Sequence, residues 1–153
     1  MADLEMEILL VEDNLKDVKL TMNALAKRKI ANHIEVARDG EEALDYLFCR
    51  GQFSGRSFDH PPRLVLLDLK LPKVDGIEVL RTIKNDPRTK VIPVVILTGS
   101  KEERDLIESY RLGVNAYIQK PVDFDQFRQI VEELGLFWLV INQPPPRGAF
   151  HQE

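Results

Sequence analysis

Three acidic residues, a threonine and a lysine stand where apolar runs of this sequence give way to polar ones. Glu12-Asp13 follows Glu7–Val11, Asp68 follows Leu64–Leu67, Thr98 follows Val94–Leu97, and Lys120-Pro121 comes just after Ala116–Ile118. Clustered carboxylates repel one another, so a cation is needed to hold them ionised together. Oxygen donors without histidine or thiolate suit Mg2+, which keeps several waters and shares phosphate oxygens. A carboxylate so placed can act as a nucleophile and form an aspartyl-phosphate. The metal and Lys120 would neutralise charge on the transferring group, and the Thr98 hydroxyl would donate to a phosphoryl oxygen.

This chemistry requires the five positions to meet, and the chain pattern supplies the means. Four of the five apolar runs are nearly continuous, which marks strands covered on both faces, as in a parallel sheet. The remaining run, His33–Ala37, alternates and reads as a half-exposed strand. Helical patterns lie between the runs. Leu15, Val18, Met22 and Leu25 form one stripe. Ala43, Leu44, Leu47 and Phe48 form a second behind Asp39, a suitable cap, and Ile77, Leu80 and Ile83 a third behind Asp75-Gly76. The third should stop near Asp86-Pro87. Ser100 with Glu103 has the capping-box spacing for a fourth helix. Asp123 can cap a fifth, with Phe124, Phe127, Val131, Leu134 and Trp138 on one face. Strand and helix thus alternate five times, which implies a parallel sheet with helices on both faces. In such sheets ligands bind beyond the carboxyl ends of the strands, where the candidate residues lie.

The bulk properties agree with one soluble domain. The chain has 153 residues, 44% hydrophobic and 30% charged. Its net charge of -4 argues against nucleic acid as the main ligand. A single cysteine, Cys49, excludes an intrachain disulfide, fits a reducing cytoplasm, and is expected to be a buried, inert thiol in the second helix. The acidic N-terminus lacks a signal-peptide pattern, and no apolar run reaches the roughly 20 residues of a membrane span. His33, His60 and His151 lack metal-ligand spacing. Gly51–Pro62 reads as a long surface loop. Residues 1–141 are expected to form the domain, and 142–153, with Pro144-Pro145-Pro146, a flexible tail.

The motifs resemble those of response-regulator receiver domains of two-component signalling. The resemblance is carried by Ile8-Leu9-Leu10-Val11-Glu12-Asp13-Asn14, Leu66-Leu67-Asp68-Leu69-Lys70-Leu71-Pro72 with Asp75-Gly76, Val95-Ile96-Leu97-Thr98-Gly99 and Tyr117-Ile118-Gln119-Lys120-Pro121, and it covers about residues 6–135. It implies a doubly wound, flavodoxin-like (βα)5 fold with strand order 2-1-3-4-5. It further implies that Asp68 accepts a phosphoryl group from a histidine kinase or phosphotransfer protein. Asp13 would ligate Mg2+, Glu12 would support it, often through water, and Asp68 and the backbone carbonyl of Lys70 would complete the protein ligands. Thr98 and Lys120 would contact the phosphoryl group, Tyr117 would be an aromatic rotamer switch, and the Lys120–Pro121 bond would be cis. Two positions depart from the commonest pattern. The Lys70 side chain either shields the acyl phosphate or points away. Gly99 stands where alanine is more usual, which should leave phosphoryl access open.

Other readings stand beside this one. Glu12-Asp13 can serve merely to cap the first helix. Dehalogenase-type phosphatases also place an aspartate at a strand end, but they need a second aspartate two residues later, where this chain has Lys70. A phosphorylation-independent binding module would share the fold. No output domain is recognised after the fifth helix, so output is expected through protein contact on the fourth helix, fifth strand and fifth helix, without enzymatic turnover of a separate substrate. Phe137 and Trp138 lie in an apolar ending that is either core packing of a lengthened helix or a homodimer or partner patch. That ending and the long loop resemble regulators paired with bacterial phytochrome kinases.

Overall fold

The computed structural model describes residues 7–26, 33–99, 110–114, 116–120 and 123–133. Five parallel strands, β1 (Glu7–Val11), β2 (His33–Ala37), β3 (Leu64–Leu67), β4 (Val94–Thr98) and β5 (Ala116–Gln119), form one sheet in the order β2-β1-β3-β4-β5. This is the expected order, and the five strand positions match the apolar runs. The alternating run is an edge strand: only Ala37 of β2 is buried, whereas β3 is buried along its whole length. β1, beside it, is buried from Ile8 onward.

Helices cover both faces, so each strand feeds two cores according to residue parity. Leu9, Val11, Val65, Leu67, Val94 and Ile96 point to the face covered by α2 (Gly40–Leu47) and α3 (Gly76–Lys84). Ile8, Leu10, Leu64, Leu66, Val95, Leu97 and Ile118 point to the opposite face, with Val18 and Leu25 of α1 (Leu15–Ala26) and Phe127 of the final helix (Phe124–Glu133).

The helix starts have identifiable chemistry. Asn14 Oδ1 accepts the backbone N–H groups of Lys16 and Asp17, at 2.9 and 3.1 Å, and so caps α1. Asp39 caps α2 through Glu42 N–H at 2.7 Å, as expected, and Glu42 Oε1 accepts the N–H of Arg38, the residue before the cap, at 2.8 Å. At the final helix, Asp123 accepts from Phe127 N–H through its carbonyl. The third helix ends at Lys84, just before Asp86-Pro87, and the buried Thr89 hydroxyl donates to the Ile83 carbonyl at 2.7 Å, satisfying one of its last acceptors.

Two expectations are revised, for Leu15 and Cys49, while the expected surface loop after α2 gains detail. Leu15 is 55% exposed, because the buried stripe of α1 runs through Val18, Thr21 and Leu25. Cys49 is half-buried and lies past the end of α2, in a left-handed conformation with φ 57°. The loop from Gly51 to Pro62 opens with a 3-10 turn, Gly51–Phe53, and is tied down by Arg56. The Arg56 guanidinium lies 3.6 Å from the Tyr46 ring centroid and donates to the carbonyls of Tyr46 and His60. Residues 110–111 are helical; the Ser100–Glu103 box, Leu134 and Trp138 lie outside the described residues, as does Pro121.

Candidate functional site

Register brings the candidate residues together. Val11 pairs with Leu67, Leu67 with Ile96, and Ile96 with Tyr117, in one row across four strands. One residue beyond this row come Glu12 and Asp68; further along come Asp13, Thr98 and Lys120. Parity then selects a face. Glu12 continues the Ile8-Leu10 phase, Asp68 the Leu64-Leu66 phase and Lys120 the Ile118 phase, all on the side covered by α1. The backbone carries both carboxylates past the strand ends: Glu12 N–H donates to the Ala37 carbonyl at 2.9 Å, and Asp68 N–H to the Val11 carbonyl at 3.0 Å.

At the centre is the Lys120 ammonium. It donates to Asp68 Oδ2 at 2.6 Å and to Asp17 Oδ2 at 3.0 Å, and lies 2.5 Å from Glu12 Oε1. The Glu12 contact is an ion pair whose angles miss those of a good hydrogen bond, leaving Oε1 buried without a hydrogen-bond partner among the described residues. Glu12 Oε2 accepts Asn14 N–H at 3.2 Å, and Asp68 Oδ1 accepts Lys70 N–H at 3.1 Å. Side-chain exposure is 1% for Glu12, 6% for Asp68 and 14% for Lys120.

Burial pushes the Glu12 carboxyl up to about 7, with the Asp68 charge adding to the rise, while the Lys120 ammonium opposes it. Burial alone would lower Lys120, but its contacts with Asp68, Glu12 and Asp17 outweigh burial and hold it above the usual lysine range.

Glu12, Asp13 and Asp68 each bring a carboxylate oxygen to within 4.8 Å of the others, with Asp13 exposed. This all-oxygen cluster, with one member open to solvent and a buried oxygen short of partners, fits a hard divalent cation that retains waters. The capping alternative is settled by Asn14, whose side chain makes the cap and leaves Glu12 and Asp13 free for other roles.

The loop after Asp68 is held by close backbone approach. Gly76 N–H donates to the Leu69 carbonyl at 2.9 Å, and a Cβ on Gly76 would lie 2.4 Å from both the Asp68 carbonyl oxygen and Leu69 Cα. Gly40, at the start of α2, packs as tightly: a Cβ there would meet the Val74 carbonyl oxygen at 2.1 Å. Lys73, in the left-handed region at φ 67°, places its ammonium 3.3 Å from Glu41 and 3.7 Å from Asp39.

Of the other anticipated residues, Lys70 is exposed and Tyr117 is half-buried against the α2–α3 core. Thr98 ends β4 in register with Gln119; its side chain, like Phe137 and Trp138, lies outside the described residues. Asp17 was not anticipated. As an acidic residue in the first turn of a helix it has an ordinary explanation, and only the fold brings it to Lys120. A groove of about 430 Å3 between α2 and α3, lined by Phe48, Arg50, Arg81 and Arg88, contains none of the site residues. Its arginines are paired with Asp45, Glu78 and Asp86.

Comparison with known proteins gives a consistent result. Residues 8–132 match the family model described as response regulator receiver domain. The chain is 47% identical over 138 residues to the probable methanogenesis regulatory protein FilR2 of Methanothrix harundinacea, covering 90% of this chain and 86% of that one. It is 42% identical over 132 residues to the response regulator Rcp1 of Synechocystis, covering 86% and 88%. Among solved structures, the bacteriophytochrome response regulator AtBRR has a TM-score of 0.80 at 54% identity, covering 90% of this chain and 98% of that one. The phosphorylated cyanobacterial phytochrome response regulator RcpA has a TM-score of 0.74 at 45% identity, covering 92% and 98%. The Mn2+-bound form of Rcp1 has a TM-score of 0.73 at 40% identity, covering 92% and 99%.

Proposed function

Because this chain belongs to the response regulator receiver family and is homologous to phytochrome response regulators, we propose that it is a phosphorylation switch whose acceptor is Asp68. The observation that carries this reading is the meeting of Asp68 with Glu12 and Lys120 at one sheet edge. A carboxylate oxygen of Asp68 forms a P–O bond as the P–N bond of a donor phosphohistidine breaks, and the imidazole leaves with the electron pair. Lys120 offsets charge on the transferring group, and the Thr98 hydroxyl donates to it. Glu12, Asp13, Asp68 and the Lys70 carbonyl would hold Mg2+. The bound cation would supply charge neutralisation and a template for the phosphoryl oxygens. The Mn2+ in the Rcp1 structure and the phosphorylated state of RcpA support this reading by relationship.

Phosphorylation then biases the surface around the segment from Ser100, β5 and the final helix, with Tyr117 as the coupling side chain. The donor is a histidine kinase or phosphotransfer protein, with a phytochrome kinase favoured by the relatives, and the output is contact with a downstream protein in the cytoplasm. Among the described residues no helix is long and apolar enough to cross a membrane. Residues 1–141 constitute the receiver and 142–153 a tail.

Exposure to a small phosphodonor with Mg2+ should add one phosphoryl unit to the intact mass, and Asp68→Asn should abolish the gain. No gain in the wild type would favour the phosphorylation-independent binding module. Homodimerisation through Phe137 and Trp138 belongs to the same proposal. Sedimentation should show a dimer that Trp138→Ala weakens at least about tenfold, the loss expected of an aromatic anchor. An unchanged sedimentation profile would remove this interface.

A further inference from the structure

A lysine ammonium has three N–H donors, and the structure faces Lys120 with three carboxylates. Glu12 and Asp68 belong to the acidic cluster, whereas Asp17 does not. Asp17 reaches in from the first turn of α1, across 103 residues of sequence, at 3.0 Å. Its local duty at the helix start is already met, because its backbone N–H donates to Asn14. Its side chain is 31% exposed, against 1% for Glu12 and 6% for Asp68.

Building on the phosphoacceptor reading above, we propose that Asp17 is a positioning residue that holds one donor of the Lys120 ammonium beside Asp68, competes for it with an incoming phosphoryl group, and so sets how firmly the site holds a phosphodonor. With two donors in hydrogen bonds to Asp68 and Asp17 and Glu12 packed against the ammonium as an ion pair, Lys120 must loosen one contact before it can close on a phosphoryl oxygen. Releasing Glu12 or Asp68 would take a buried carboxylate off its lysine, which is costly. Releasing Asp17 returns a partly exposed carboxylate to water, which costs little. Asp17 is therefore the partner given up, and its negative charge sets the cost of the exchange.

Asp17→Asn keeps the side-chain shape and removes the charge. The concentration of acetyl phosphate giving half-maximal phosphorylation, read by intact mass at saturating Mg2+, should fall about threefold, as for loss of one partly exposed ion pair. Asp17→Glu, which keeps the charge, should stay near the wild-type value. An unchanged or raised value for Asp17→Asn overturns the proposal. A second measurement requires no phosphoryl transfer: exchange of the Lys120 ammonium protons with water, followed by 15N NMR, should be faster in Asp17→Asn than in the wild type. An equal rate overturns the role of the contact. Failure of both proteins to take up phosphoryl overturns the phosphoacceptor reading and this proposal with it. Ammonium exchange then distinguishes that outcome from failure of the Asp17 contact alone.

Discussion

Gly76→Ala should destabilise the protein by about 3 kcal/mol, the upper part of the usual range for overpacking a close-packed site. The added methyl meets backbone: the Asp68 carbonyl oxygen and Leu69 Cα at 2.4 Å, and the Leu69 carbonyl oxygen at 2.7 Å. A flexible side chain could turn aside, but a peptide group can move only by taking its neighbours with it. Here the neighbours are the acceptor and the loop beyond it, so the substitution should lower phosphorylation as well as stability. The hydrogen bond from Gly76 N–H to Leu69 would be strained by the same shift. Urea unfolding monitored by circular dichroism gives the measurement. Gly55→Ala is the control, since nothing lies within 4 Å of a Cβ there; its effect should stay within about 0.5 kcal/mol. Equal unfolding midpoints for the two variants would refute the account of a tight turn.

Lys120→Met should reduce the rate of phosphoryl uptake by about 100-fold, the scale for removing one preorganised charge-stabilising group. Methionine fills much of the volume and supplies no donor. Asp68 Oδ2 loses its 2.6 Å bond, and Glu12 loses the cation that lies against its buried Oε1. Two neighbouring buried carboxylates would then repel each other unless one takes up a proton, so the resting protein should also lose about 3 kcal/mol, as when a buried pair loses one partner. Intact mass after timed exposure to phosphodonor, with urea unfolding of the same samples, separates the chemical effect from the structural one. Uptake at the wild-type rate would exclude Lys120 from the phosphoryl site.

The sheet was legible in the sequence because parallel strands buried on both faces must be apolar at nearly every position, as in Leu64–Leu67. The edge strand betrayed itself by alternation. Glu12, Asp68 and Lys120 stood out because each is a charged residue just past the end of an apolar run. Contacts made at a distance were not legible. Asp17 looked like an ordinary residue of a helix start, and the grip of Arg56 on Tyr46 has no sequence periodicity. Leu15 matched the helical stripe, yet the buried positions of the helix are Val18, Thr21 and Leu25. Asn14 resolved the first cap because its short amide reaches the N–H groups two and three residues on, which the preceding acids do not.

The parity that places Glu12 and Asp68 on one face has a consequence for how such a sequence can vary. Exchanging leucine for isoleucine or valine inside β1 or β3 alters packing but leaves the acids where they are. Adding or removing one residue in either strand keeps the hydrophobic content intact and turns the terminal acid to the opposite face, away from Lys120. These strands therefore act as measured spacers. Their length is inherited with the chemistry, while the identity of each apolar residue within them is open to drift.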